Sequence, residues 1–282
     1  MSSVTQRIAK IHQPWGGYLR PKLFDKIVYN DGIILNDEEN INGGLVGMAV
    51  DYLTRTMIGN DPHDAFSVSL EGASQAVLLG GEKKAFDVAL KLVEGINGID
   101  KKSVINACKL VSFDVWYRNP LAAMYAKGYK GIKPNDDTVQ NIQTLVKRGI
   151  TFFENYGPVT ESMFGFAPKD CSNDDIVEWK KKKKKKCNFG GYTPTVDSGD
   201  GDFLTKDTLW EFKVLKSRIK STHTLQLLMY WIMGQHSGQL IYQNINRIGL
   251  FNPRSNIVYL LDVDSISHEI IEEVEKSVIC YQ

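Results

Sequence analysis

The chain has 282 residues, 43% of them hydrophobic and 24% charged, with a formal net charge of +1. A composition of this kind can bury a substantial core, which excludes a disordered or fibrous chain. The near-neutral total leaves nucleic-acid binding open, because a polyanion responds to local clusters of charge and not to the sum.

The opening forty residues mix short apolar runs with turn residues, as in Trp15-Gly16-Gly17 and Asn30-Asp31-Gly32, and predict a partly irregular lead-in. LVGMAVDYLTRTM, Leu45 to Met57, suits a buried helix that contains one acidic residue, Asp51. Helical periodicity returns over Ser67 to Leu79 and Lys83 to Val93. A further helix starts near Asp100 or Ser103 and must stop before Pro120, because a residue preceding proline avoids the helical region. Asp137 to Asn155 is helical again.

Beyond residue 155 the pattern changes. VTESMFGF, DFLTKD, TLWEFKVL, INRIGLFNP and NIVYLLDV are short β-branched or aromatic runs bounded by Gly, Pro, Asn and Asp, and they predict strands. STHTLQLLMYWIMG is long enough for a helix, with Ser221 or Thr222 as its cap and Gly234 near its end. The expectation is therefore a single α/β domain: 1–155 mainly helical, 156–265 an α/β catalytic core, and 266–282 a C-terminal helix.

Cys108, Cys171, Cys187 and Cys280 are scattered without a CxxC pair, which fits a reducing compartment. No apolar run follows Arg7 and Lys10, and no stretch approaches membrane-spanning length, so a cytoplasmic protein without a membrane partner is expected.

The chemistry concentrates in GDGDFLTKDTLWEFKV. Asp202 opens one predicted strand and Glu211 lies on the next, with eight residues between them. A tight turn around Lys206 and Asp207 would set the two side by side. Glu211 and Lys213 are two apart, so they share a face, and Phe212 points to the other. Two carboxylates beside an ammonium can hold a divalent cation and handle charge on an attacked phosphate. On the following helix, Gln226 and Tyr230 lie one turn apart, placed to support the site.

At these residues the chain resembles the PD-(D/E)xK nuclease superfamily, and in particular its RecB-like exonuclease branch. Asp202 corresponds to the strand aspartate, Glu211 and Lys213 to the acidic-x-Lys motif, and Gln226 and Tyr230 to the helical Gln-xxx-Tyr. Gly47 and Asp51 stand where the branch has its upstream Gly-xxx-His or acidic motif, so Asp51 is a further candidate ligand in a position where many members have histidine.

The resemblance implies a restriction-endonuclease-like mixed β-sheet flanked by helices. It implies a Mg²⁺- or Mn²⁺-dependent deoxyribonuclease with Asp51, Asp202 and Glu211 as metal ligands and Lys213 as the catalytic lysine. Single- or double-stranded DNA would be the substrate, in recombination, replication or defence in a bacterial or phage-infected cytoplasm, with a homo-oligomer or a replication protein as partner. An RNA or tRNA nuclease and a non-catalytic nucleic-acid-binding protein on the same fold are the alternatives.

Each residue also has a plainer reading. Asp202, Glu211 and Lys213 could be an ion pair on a surface hairpin. Asp51 could pair with Arg55 one turn away, and Gln226 with Tyr230 could be an ordinary buried polar pair. Glu161 could extend the acidic site but is read as facing solvent, Asp200 could replace Asp202 as ligand but is read as serving the turn, and His63 and His223 are read as loop and cap-adjacent residues. The seven lysines from Lys180 to Lys186 read as a self-repelling solvated loop. Lys180, Lys183 and Lys186, with Lys216, Arg218 and Lys220, could nonetheless hold a phosphate backbone near the metals.

Overall fold

The computed structural model describes residues 2–80, 82–182 and 187–281, and the chain divides into two compact units. Asn30–Asn155 form one, and Met1–Tyr29 with Tyr156–Gln282 form the other. The first residues, expected to be an irregular lead-in, supply β1 (Ser2–Ser3), α1 (Val4–Lys10) and β2 (Asp25–Val28) to the second of these.

The helical unit contains α2 (Gly43–Met57), α3 (Pro62–Ala65), α4 (Ser67–Leu78), α5 (Ala85–Glu94), α6 (Lys101–Leu110), α7 (Asp114–Arg118), α8 (Pro120–Ala123) and most of α9 (Asp136–Tyr156). The segment expected as one helix up to Pro120 is broken into α6, a 3-10 turn at Val111–Phe113, and α7. Asp100 caps α6 by accepting from the Lys102 and Ser103 amides. Asp114 is buried at the break, where Tyr52 and Ser69 donate to its two oxygens. Burial outweighs those bonds and pushes its carboxyl above the usual range.

The α/β unit adds β3 (Glu161–Phe164), α10 (Asn173–Lys181), β4 (Val196–Ser198), β5 (Gly201–Leu204), β6 (Thr208–Phe212), α11 (Ser221–Ser237), β7 (Arg247–Asn252), β8 (Ile257–Asp262) and α12 (His268–Glu273). A π-helical turn, Val274–Ile279, continues α12, so the expected C-terminal helix is present but irregular. Six strands form a mixed, open sheet in the order β2-β8-β7-β6-β5-β3, and β1 pairs separately with β4. Every neighbour in the larger sheet is antiparallel except β6 and β7, which run parallel. Parallel neighbours need a crossover, and α11 provides it.

Alternation along β6 decides what faces what. Trp210 and Phe212 turn to one side, where the Trp210 indole meets the Tyr156 ring and Phe212 packs against Phe203 and Phe251. Leu209 joins the other side, a core shared with Leu225, Leu228 and Met229 of α11. This helix is apolar nearly all round because α1 and the π-helical turn cover the side away from the sheet.

Its boundaries differ from expectation. The capping position is Lys220, whose amide donates to His223 Nδ1 at 3.0 Å, and the end is Gly238 in the left-handed region at φ 73°. Gly234 lies in the last turn, near the end as expected, and a Cβ there would approach the Tyr242 ring to 2.5 Å, so the position suits glycine.

Gly249 is paired with Trp210 across β6 and β7, and a Cβ there would come within 2.2 Å of the indole. Gly249→Ala is expected to lower unfolding stability by about 1–3 kcal/mol through overpacking. Urea denaturation followed at the α/β unit checks this; an unchanged midpoint would show that the ring relaxes freely.

Candidate active site

The β5–β6 hairpin turns at Thr205 to Asp207, where the Thr205 amide donates to the Thr208 carbonyl at 3.0 Å and Arg247 holds the Asp207 carboxylate at 2.7 Å. Phe203 pairs with Trp210 and Leu204 with Leu209, so the register carried one step further sets Asp202 opposite Glu211. Side chains opposite one another on an antiparallel pair share a face, with Cβ atoms about 4.5–5.5 Å apart. Asp202 Oδ2 also accepts from the Phe212 amide at 2.8 Å, which ties the carboxylate to the end of β6.

Glu211 is only 3% exposed. Its Oε1 accepts from Gln226 Nε2 at 3.0 Å and is paired with the Lys213 ammonium. Its Oε2 is buried and has no hydrogen-bond partner among the described residues. The Gln226 amide uses its second proton on the Tyr230 hydroxyl, at 2.9 Å. Gln226 therefore clamps one oxygen of Glu211 and leaves the other bare.

The electrostatics follow from that enclosure. Burial pushes the Glu211 carboxyl up to about 8, the Asp202 charge adds to the rise, Lys213 opposes it, and Asp200 contributes a smaller rise. Tyr230 is raised well above its ordinary value by burial and then by Glu211 and Asp200. His223 is held down at about 4 by burial, with Lys213 and Lys220 adding repulsion.

The structure thus brings together Asp202, Glu211, Lys213, Gln226 and Tyr230. Two further residues belong to the same electrostatic neighbourhood. Asp200, read as a turn residue, acts on both Glu211 and Tyr230. His223, read as cap-adjacent, does cap α11 and also senses Lys213. The spacing of His223, Gln226 and Tyr230 at three and then four residues, one helical face, was the available signal.

Other candidates sit differently. Asp51 lies in α2 of the helical unit, and Arg55 grips both its oxygens, at 2.9 and 3.2 Å. Glu161 is exposed, pairs across to Leu204, and its charge acts on Tyr242. Lys180 is part of α10 and not of a loop, because the Ser172 capping box starts a helix that runs through Lys181. Lys183 and Lys186 lie outside the described residues. Lys216, Arg218 and Lys220 are exposed on the segment joining β6 to α11.

A divalent cation fits this donor set. The bare Glu211 oxygen and the Asp202 carboxylate are hard oxygen ligands, and Glu211 is destabilised as an anion until positive charge arrives. Among the described residues no three His, Cys, Asp or Glu side chains are gathered as a ready metal cage, so the donor set is a carboxylate pair to which water and substrate oxygens would have to add. Among them, too, no helix is long and apolar enough to cross a membrane. Compared with known proteins, the chain matches no family, no curated protein and no solved structure.

The Glu211 shift sets a test by stability. The folded protein keeps the Glu211 proton up to about 8, whereas an ordinary glutamate releases it at 4.5, so the associated stability is complete below 4.5 and lost as pH rises through 8. Glu211→Gln is neutral at every pH and escapes the loss. In EDTA at about pH 9 the variant is expected to melt above the parent, by roughly 2–4 °C for each kcal/mol relieved, and the gap closes on acidification toward 4.5. A variant that melts below the parent across the whole range would contradict the cause given for the shift.

Proposed function

We propose that the α/β unit is a divalent-metal-dependent nuclease acting on DNA, and the observation that carries this is the bare, buried Oε2 of Glu211 with Asp202 and Lys213 at its side. The surface ion pair that was the plainer reading requires an exposed glutamate, and Glu211 is 3% exposed. Apart from Gly47 and Asp51 on α2, the motif residues of the PD-(D/E)xK resemblance lie in chain order on β5, on β6 with the residue just beyond it, and on α11. The mixed sheet with α11 crossing from β6 to β7 is compatible with a restriction-endonuclease-like core.

Asp202 and Glu211 would hold Mg²⁺ or Mn²⁺, which when bound supplies charge neutralisation at the phosphate and a water acidic enough to attack. The protein side chains do the rest. Gln226 fixes the rotamer of Glu211, so that Oε2 and not Oε1 is offered to the cation, and Tyr230 fixes Gln226. Lys213, about a quarter exposed, can leave Glu211 when positive charge arrives and turn to the attacked phosphate, where its ammonium stabilises developing negative charge. The exposed Lys216, Arg218 and Lys220 lie just beyond, placed to hold the backbone in a salt-sensitive way. Asp51 has no part in this reading, since Arg55 occupies both of its oxygens. Exonucleolytic processing in recombination, replication or defence is the role the resemblance favours.

The full chain is expected to degrade linear DNA in Mg²⁺ or Mn²⁺ and not in EDTA. Asp202→Asn, Glu211→Gln and Lys213→Ala should each lower the rate by roughly 100-fold or more. Gln226→Ala should lower it by roughly 10- to 100-fold while raising the metal concentration needed. Trace activity that is equal in parent and variants would remove the enzyme reading and leave a nucleic-acid-binding one. Faster cleavage of RNA in a parallel assay would transfer the assignment to a ribonuclease.

A further inference from the structure

The α/β unit exposes one tryptophan almost completely. Trp15 is 90% exposed, at the tip of the segment between α1 and β2. An indole left in water forgoes a large hydrophobic gain, so the segment around it shows whether the exposure is accidental.

That segment is held firmly. Gly16 and Gly17 take φ of 84° and 90°, a conformation that side chains rarely adopt, and the Gly17 amide closes the turn onto the Pro14 carbonyl at 2.8 Å. Leu19 is fully buried, and its carbonyl accepts from Thr224 Oγ1 of α11 at 2.5 Å. The Gly17 backbone lies so close to the start of α11 that a Cβ there would come within 2.3 Å of that of Ser221. The indole is therefore presented by a rigid turn strapped to the first turns of the helix that carries Gln226.

Its surroundings are two-sided. The Arg20 guanidinium stands over the Trp15 ring at 5.7 Å from its centre. Trp15 and Arg20 line an open groove of about 920 Å³ together with His12, Tyr18, Lys22, Glu269 and Glu273. The indole and the basic side chains come from the segment between α1 and β2, and the two carboxylates from α12.

We propose that this groove takes an unpaired nucleobase at the end or in a gap of a nucleic-acid strand, stacked on Trp15. The phosphates run along Arg20 and Lys22, and Glu269 and Glu273 repel the backbone while accepting from exocyclic amino groups of the base. Stacking needs a flat, rigid, solvated face beside cationic groups, and this turn supplies both. The inference deepens the nuclease reading and rests on it for the class of ligand.

The test is fluorescence anisotropy with a labelled single strand of about 20 nucleotides and with the matching blunt duplex, in EDTA, using the full chain. Trp15→Ala is expected to weaken single-strand binding by roughly 5- to 100-fold, Trp15→Phe to restore most of it, and duplex binding to change little. The exposed position makes a folding defect a poor explanation, and melting curves of both variants verify that. Undiminished single-strand binding by Trp15→Ala overturns the proposal, and if the parent still cleaves DNA the nuclease reading survives alone. Trp15-dependent binding by a chain that never cleaves keeps the stacking site and removes the nuclease. A parent that binds no nucleic acid overturns the proposal, and so does a Trp15→Ala change seen only in self-association, which would give the groove to a second copy.

Discussion

A carboxylate buried without enough positive charge is costly, and the α/β unit is organised around one. Glu211 sits in the middle of a sheet, under a helix, with one oxygen held by Gln226 and Lys213 and the other bare. A group so placed either keeps its proton, and its carboxyl is indeed pushed up to about 8, or waits for a cation. The Asp202 carboxylate facing it from the next strand sharpens that choice, because like charges at such a separation disfavour joint ionisation. A purely structural role would be served better by an apolar residue of similar size.

The fold explains how such an arrangement is kept. Asp202 and Glu211 are fixed by an antiparallel hairpin whose turn is pinned by Arg247 on Asp207, and a slip of one residue would send Glu211 to the aromatic face of Phe203 and Phe251. Just beyond β6, the Lys213 amide donates to the Phe251 carbonyl of β7, which anchors the backbone at the lysine to the sheet. The apolar body of α11 fixes where Gln226 and Tyr230 point, since its burial leaves the helix no freedom to rotate.

Much of this was legible in the sequence because its signals are local. Alternation along TLWEFKV put Glu211 and Lys213 on one face, and an interval of four put Gln226 with Tyr230. The pairing of Asp51 with Arg55 was legible for the same reason. What could not be read depends on distant partners. Strand β2 is short and exposed throughout, and it is a strand only because β8, more than two hundred residues later, pairs with it. The helix before Pro120 breaks next to the buried Asp114, whose partners Tyr52 and Ser69 are both remote in sequence.

The most direct measurement is X-ray anomalous scattering from a crystal soaked in Mn²⁺. A peak bonded to Glu211 Oε2 and to the Asp202 carboxylate is expected, with the Lys213 ammonium moved off Glu211. Full Mn²⁺ occupancy elsewhere, with Lys213 still paired to Glu211 and no density at that oxygen, would contradict it.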